Sequence, residues 1–266
     1  MRKFFQIFYI ALILLFIYAP LFTLVLYSFV DTPIVSIEEA LRIGLSFDLY
    51  KKLFADAALM TIVWDTLLLA FIAAVLATIL GTLGAIGIYY SRGKFGKGVS
   101  AASRIPVINA EIVTAVALVL LFAAVFTESR SYFSMVIGHL VITTPFVVLS
   151  VTPKLKQMDP NLYEAALDLG ASPFRALLSV VIPEILPGIL SGFMMAVTLS
   201  LDDYIISAYT KPAGFDTIST YVYGAMAKSN ANSSLPALRA LSAIIFVVII
   251  LVVVLKNVTV KKKEAK

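Results

Sequence analysis

The chain has 266 residues, 61% of them hydrophobic, and a formal net charge of +5. Its mean hydropathy of +0.98 and an apolar share far above the roughly 45–50% of soluble domains exclude a soluble globular protein and indicate an integral membrane protein. With no cysteine and one histidine, His139, the composition also excludes disulfides, thiolate chemistry and any histidine-cluster metal site.

A hydrocarbon core of about 30 Å takes roughly 20 apolar residues as helix. The first such run, Phe4 to Phe29, follows Arg2 and Lys3. It is too long for a signal peptide and no small-x-small cleavage pattern follows, so it reads as a retained span. Asp31 to about Leu59 is polar and contains SFDLYKKLF, the pattern of a short amphipathic helix outside the bilayer. The second span, about Thr61 to Tyr90, is long enough to tilt or protrude. Within it Ala77, Gly81 and Ala85 recur every four residues beside Gly84, a stripe of small residues that admits a close neighbouring helix. The loop Ser91 to Arg104 carries bases and no acid. Its Gly93-to-Gly98 spacing is that of a P-loop, but Val99-Ser100 stands where Lys-Ser/Thr is required, so no nucleotide site is encoded.

The third span is about Pro106 to Phe126, with a tight turn at Thr127 to Ser131, and the fourth is about Tyr132 to Val151. Then comes a polar-flanked interruption, Asp159 to Pro183, DPNLYEAALDLGASPFRALLSVVIP. Its pattern predicts two short helices with a hinge. Asp159 caps the first and Pro160 fits its first turn, where a missing N–H costs nothing. Leu162, Ala165, Ala166 and Leu169 form one apolar face, and Gly170 supplies a left-handed stop. Ser172-Pro173 restarts the chain, Phe174, Leu177, Leu178 and Val181 repeat the apolar pattern, and Pro183 closes the unit. The fifth span is about Glu184 to Ser207. A polar segment, Thr210 to Pro236, holds the turn Lys211-Pro212-Ala213-Gly214. The sixth span is about Ala237 to Leu255, ahead of the basic tail Lys261-Lys262-Lys263. Six spans put both termini on one side. With that side cytoplasmic, the inner segments hold 14 of the 21 Lys and Arg residues, as the positive-inside rule requires.

An ionisable group inside a span costs roughly 2.5–3.5 kcal/mol on insertion scales and usually faces a partner or a water-filled path. Asp202 and Asp203, in SLDDYIISAYT, and Asp65 beside Trp64 lie near outer span ends. With Tyr204 they would suit a cation by charge and by cation–π contact; the alternative is a solvated interface or pairing with Lys211. As neighbours on one helix the two aspartates project about 100° apart. Asp203, sharing a face with Leu199, Ile206 and Ser207, is then expected to border the path more closely than Asp202. Glu111 is expected to pair with a basic loop residue, and His139 to make an interhelical hydrogen bond.

Two resemblances sharpen this reading. Glu164-Ala165-Ala166, three residues, Gly170, nine residues, and Val180-Val181-Ile182-Pro183 resemble the EAA loop of ABC-importer permeases, which reads EAA, three, G, nine, I-x-L-P. Val180 replaces Ile and Ile182 replaces Leu, both apolar exchanges. The resemblance implies an all-α integral membrane protein with six transmembrane helices and the type I ABC importer (MetI-like) permease fold. It implies one transmembrane domain over 1–266, with a first span at 4–29, a permease core at about 60–255 and a cytoplasmic coupling loop at 152–183. Glu164, Ala165, Ala166, Asp168, Gly170 and Pro183 would couple it to a cytoplasmic ATPase.

The segments SFDLYKKLF, PVINAEIV, IGHLVITTPFVV and TLSLDDYIISAYT further resemble spermidine/putrescine importer permeases of the PotC type. That implies a polyamine path whose acidic pair matches Asp202 and Asp203; at Asp65 the family pattern favours Asn. The implied partners are a second permease subunit in a heterodimer, two ATP-binding subunits and an extracytoplasmic binding protein. ATP is then bound by the partner, and the chain itself carries no cofactor, metal or catalytic residue. A bacterial inner membrane location with both termini cytoplasmic follows, and no nucleic acid partner. The rival readings are the same machinery moving another organic cation, Fe³⁺ or an oxyanion, and an ATP-independent channel or secondary transporter. An oxyanion path would be lined by Arg or Lys, and an ATP-independent transporter needs no EAA loop. An intramembrane enzyme is disfavoured because no Ser–His dyad is apparent.

Overall fold

Without water to satisfy it, backbone crossing a bilayer must close its hydrogen bonds internally, and the regular elements among the described residues are all helical. The computed structural model describes residues 2–30, 38, 46–91, 94–125, 130–228, 238–247 and 250. These form two compact units, Met1–Thr61 with Val222–Lys266, and Ile62–Tyr221.

In the first unit, α1 (Arg2–Tyr27) is the first span, its side chains exposed along residues 5–18. The amphipathic helix read in SFDLYKKLF is α2 (Asp48–Ala55). Leu49 and Leu53, one turn apart, are its buried side, while Lys51 and Lys52 are exposed. Tyr50 ties α2 to the end of α1: its hydroxyl lies 2.7 Å from Ser28 Oγ and its ring 5.3 Å from that of Phe29.

The second unit is built around one central helix. In chain order it comprises α3 (Ala57–Tyr90, which starts in the first unit), α4 (Lys94–Ala102), α5 (Ile105–Ile108), α6 (Glu111–Val125), α7 (Tyr132–Gln157), α8 (Asn161–Asp168) and α9 (Pro173–Ala176). A π-helical turn, Leu177–Val181, leads into α10 (Ile182–Asp202), followed by α11 (Ile205–Thr210) and the start of α12 (Ile218–Lys228, which continues into the first unit from Val222). Small residues let three helices approach α7. A Cβ on Gly81 of α3 would lie 2.6 Å from Val147 Cβ, one on Gly188 of α10 2.8 Å from Lys154 Cγ, and one on Gly138 of α7 2.5 Å from Ile206 Cγ2 of α11. Real Cβ atoms do not come that near, so glycine sets these separations. The stripe read at Ala77, Gly81 and Ala85 is thus a packing face: all three are buried, the two alanines in one apolar cluster with Val147, Val151, Ile185 and Ala196.

Four predicted boundaries move. The basic segment read as a loop at Ser91 to Arg104 contains α4. The third span does not run unbroken from Pro106: the chain breaks at Asn109-Ala110, and the helical stretch Gly98–Ile108 meets Glu111–Val125 at 108°. Asn109 is extended, with ψ 147°, and its side-chain amide donates to Thr114 Oγ1 at 3.2 Å. The 15 residues of α6 span only about 22 Å. Pro183 does not close the paired-helix unit, because α9, the π turn and α10 form one 30-residue helix, Pro173–Asp202. In a regular α-helix the Pro183 ring would strike the carbonyl four residues back, and the wider turn before it relieves that clash. The fifth span therefore begins earlier than Glu184 and ends at Asp202, not Ser207.

The described residues contain four helices long and apolar enough to cross a membrane, or five with the bent pair counted as one span. Of the predicted sixth span, Leu238–Val247 is a shorter apolar helix, α13. Apart from residue 250, the remainder of that span, together with Arg92, most of the Thr127–Ser131 turn and the basic tail, lies outside the described residues.

Candidate functional site

Two places carry chemistry, and the first is the paired-helix loop. Asp159 Oδ1 accepts from Asn161 N at 2.9 Å and starts α8. Gly170 stops it at φ +84°. There Gly170 N donates to Leu167 O at 2.9 Å and Ala171 N to Ala166 O at 3.0 Å, satisfying carbonyls that the helix end would otherwise leave bare. Ser172 Oγ accepts from Arg175 N at 3.4 Å, with Pro173 in the first turn of α9. This local structure was legible in the residues; the direction of its apolar side was not. Leu162, Ala165 and Leu169 are exposed, Leu169 to 89%, and Phe174 beyond the hinge is 71% exposed. Tyr163 and Leu177, in contrast, pack against the α3–α7–α10 core. Glu164 and Asp168 are exposed beside the outward apolar face. The loop thus anchors itself on one side and leaves apolar side chains exposed on the other. Pro183, at the second position of α10, belongs to the stem of this loop.

The second place is a cavity of about 500 Å³ where two helix breaks meet. Pro106, Asn109, Glu111 and Thr114 come from the α5–α6 break; Leu199, Asp202, Asp203, Tyr204 and Ile205 come from the α10–α11 break. Ile142 and Phe146 of α7 complete it. Its polar lining therefore includes three carboxylates, and no Lys or Arg is among the lining residues. Non-helical backbone in a span is tolerated where it is buried in protein or lines a cavity, and both breaks line this one.

The aspartates are not on one helix. The helix ends at Asp202, and Asp203 is extended at φ −63°, ψ 123°. Asp203 is 5% exposed and caps α11: Oδ1 accepts from Ile206 N at 3.1 Å, and Oδ2 from Ser207 N and Ser207 Oγ, both at 2.8 Å. Asp202 is exposed. The shared face proposed for Asp203, Ile206 and Ser207 arises from this cap rather than from helix periodicity. Glu111, expected to meet a base, instead lies against Asp203 and near Asp202. Lys211 donates to Asp216, so the alternative partner for the aspartates is engaged elsewhere.

Asp65 and Trp64 do not join the cavity. Trp64 is 70% exposed and lines an apolar groove with Leu68, Phe71 and Leu201, while half-buried Asp65 lies near Tyr132. His139 is fully buried between helices, as expected, with Nδ1 2.8 Å from Ser200 Oγ and Nε2 3.1 Å from Ser207 Oγ. Asn109, Thr114 and Ser200 were missed by sequence reasoning. The Pro106-to-Asn109 spacing was the available signal for the first break; the second had none beyond the charge of the pair.

Residues 112–261 match the family of binding-protein-dependent transport system inner membrane components. The chain is 31% identical over 232 residues to the putrescine transport system permease protein PotI of Escherichia coli (strain K12), covering 85% of this chain and 81% of PotI. It is 31% identical over 221 residues to the spermidine/putrescine transport system permease protein PotC of Haemophilus influenzae, covering 83% and 84%. Its fold is similar to a chain of a bacterial ABC transporter involved in the import of the acidic polysaccharide alginate. The TM-score is 0.70 over 100% of this chain and 96% of that one, at 18% identity.

Proposed function

The chain belongs to the binding-protein-dependent transport system inner membrane component family, and from that premise we propose that it is the permease subunit of an ATP-driven importer of polyamines. It is a multi-pass inner membrane protein and performs no chemistry on its cargo. The observation that carries the cargo class is the cavity between the two helix breaks, lined by Glu111, Asp202 and Asp203 without a base. Three carboxylates and Tyr204 in one low-dielectric cavity favour an organic cation and repel an anion.

Coupling is assigned to Glu164, Ala165, Ala166, Asp168 and Gly170, with Pro183 in the stem. The exposed face of α8 and α9 seats in a groove of a cytoplasmic ATP-binding subunit. ATP bound by two such subunits draws them together, the loop moves with them, and the cavity opens outward to receive a cation from an extracytoplasmic binding protein. A second permease subunit completes the path. Both termini and the loop are placed in the cytoplasm, supported by the share of bases in the segments on that side. Asp202 and Tyr204 are the leading path residues; Asp203 borders the path as the cap that shapes it, and Asp65 and Trp64 act at most at its rim.

Cells deleted for this chain, and the same cells with it restored, are compared for uptake of labelled putrescine and spermidine. Uptake is expected only with the chain present, and is expected to be competed by unlabelled polyamine but not by an oxyanion or by Fe³⁺. Unchanged polyamine uptake in the deleted cells, with loss of another solute's uptake, would refute the cargo class.

A further inference from the structure

The single histidine bridges the two sides of the α10–α11 break. Ser200 lies before it and Ser207 after it, and both hydroxyls reach the His139 ring, at 2.8 Å and 3.1 Å. Nε2 is also 3.5 Å from Asp203 Oδ2, with both side chains fully buried. With a neutral imidazole, one proton placement satisfies both hydroxyl contacts of the histidine. The Ser207 hydroxyl donates to Asp203 Oδ2, so Ser207 Oγ accepts from His139 Nε2–H. Nδ1 is then left to accept the Ser200 hydroxyl. The hydrogen bonds run in one direction, Ser200 to His139 to Ser207 to Asp203, and end on the carboxylate that caps α11.

One close approach also seats this arrangement on α7. Beside the histidine, Gly138 leaves so little room that a Cβ would fall 2.5 Å from Ile206 Cγ2. The break is therefore held from outside as well as by its own cap. Its geometry decides where Asp202 and Tyr204, which flank the capping aspartate, present their side chains to the cavity.

We infer that His139 is a positioning residue of the cation path: through Ser207 it holds Asp203 as the cap of α11, and the break so fixed aims Asp202 into the cavity. This rests on the cavity being the cation path. His139 touches no cargo; it acts through the aspartates, and its effect on transport should vanish when Asp202 carries no charge.

The test is a double-mutant cycle on polyamine uptake in intact cells, at matched membrane levels of the chain. His139→Asn keeps a polar group near Nδ1 and loses the reach to Ser207; His139→Gln reaches about as far as Nε2 and can still donate to Ser207. His139→Asn is expected to lower uptake about tenfold, the effect of losing support for a buried charge-assisted bond, and His139→Gln to recover most of it. In an Asp202→Asn background, His139→Asn is expected to change uptake by less than about twofold. Should His139→Asn fail to reach the membrane, Ser207→Ala takes its place in the cycle with the same expected coupling. Additive losses, or equal losses in the Asn and Gln variants, would show a packing role and overturn the inference. If Asp202→Asn alone leaves uptake unchanged, the cation path itself fails, and the inference fails with it.

Discussion

Gly170→Val is expected to cut polyamine uptake at least about tenfold, within the range of coupling energies that link distant sites, while the chain still inserts at its normal level. The reason is local. Gly170 sits at φ +84°, where a non-glycine residue is disfavoured by roughly 1–2 kcal/mol and a β-branched one most of all. A Cβ there meets nothing within 4 Å, so the substitution acts on the backbone turn and not on packing. Loss of that turn removes the Ala171-to-Ala166 and Gly170-to-Leu167 hydrogen bonds and swings the α8 face, with Leu162 and Leu169, away from Phe174 on α9. A surface whose two halves no longer match one groove cannot transmit closure of an ATPase. ATP hydrolysis stimulated by loaded binding protein should fall or lose its link to uptake. Gly214 supplies the control, since it too has a positive φ, +80°, and open space around it. Gly214→Val should perturb its own turn and leave stimulated hydrolysis in place. Normal uptake and normal stimulated hydrolysis in Gly170→Val would remove the coupling role of the loop.

Asp202→Asn is expected to lower uptake by about tenfold or more at subsaturating substrate, with assembly intact. This reverses the order expected from helix periodicity, which favoured Asp203. Asp202 is exposed at the cavity, whereas Asp203 accepts three hydrogen bonds as a buried cap. Replacing an exposed carboxylate by its isostere removes charge and little else, and moves binding by roughly the electrostatic contribution alone, on the order of 1–4 kcal/mol between the limits of bulk water and a protein surface. Asp203→Asn is a different experiment. An amide offers one acceptor oxygen, so its NH₂ must face either Ile206 N–H or the Ser207 donors, and α11 loses part of its cap. That variant should lose thermal stability as well as transport. Uptake equal to wild type in Asp202→Asn, at matched expression, would leave the pair as structure only.

The residues disclosed much of the paired-helix loop in advance and less of the cavity, for physical reasons. Asp159, Gly170 and Ser172-Pro173 act within a few residues of themselves through caps and turns, so the sequence carries their geometry directly. The face formed by Leu162, Ala165 and Leu169 was equally visible as a pattern, yet periodicity cannot tell a face that packs inward from one kept for a partner. The small stripe at Gly81 announced a close approach, though not that Val147 would meet it. The helix breaks were hidden because apolar content continues through them: PVINAEIV and LDDYIISA read as span, and neither the Asn109 and Asp203 hydrogen bonds nor the packing against α7 that hold them open is visible as a pattern. The surroundings of Glu111 were hidden for the same reason. A straight third span would leave it to a basic loop residue, whereas with the 108° bend the start of α6 shares a cavity with Asp202 and Asp203.

The energy source distinguishes an importer driven through its loop from an ATP-independent carrier. Right-side-out membrane vesicles containing this chain with its partner subunits and loaded binding protein, and holding ATP in the lumen, are incubated with labelled spermidine and a protonophore. Accumulation that persists with the protonophore, disappears when luminal ATP is replaced by a non-hydrolysable analogue, and is absent from vesicles lacking this chain is the predicted result. Accumulation abolished by the protonophore and indifferent to ATP would contradict it.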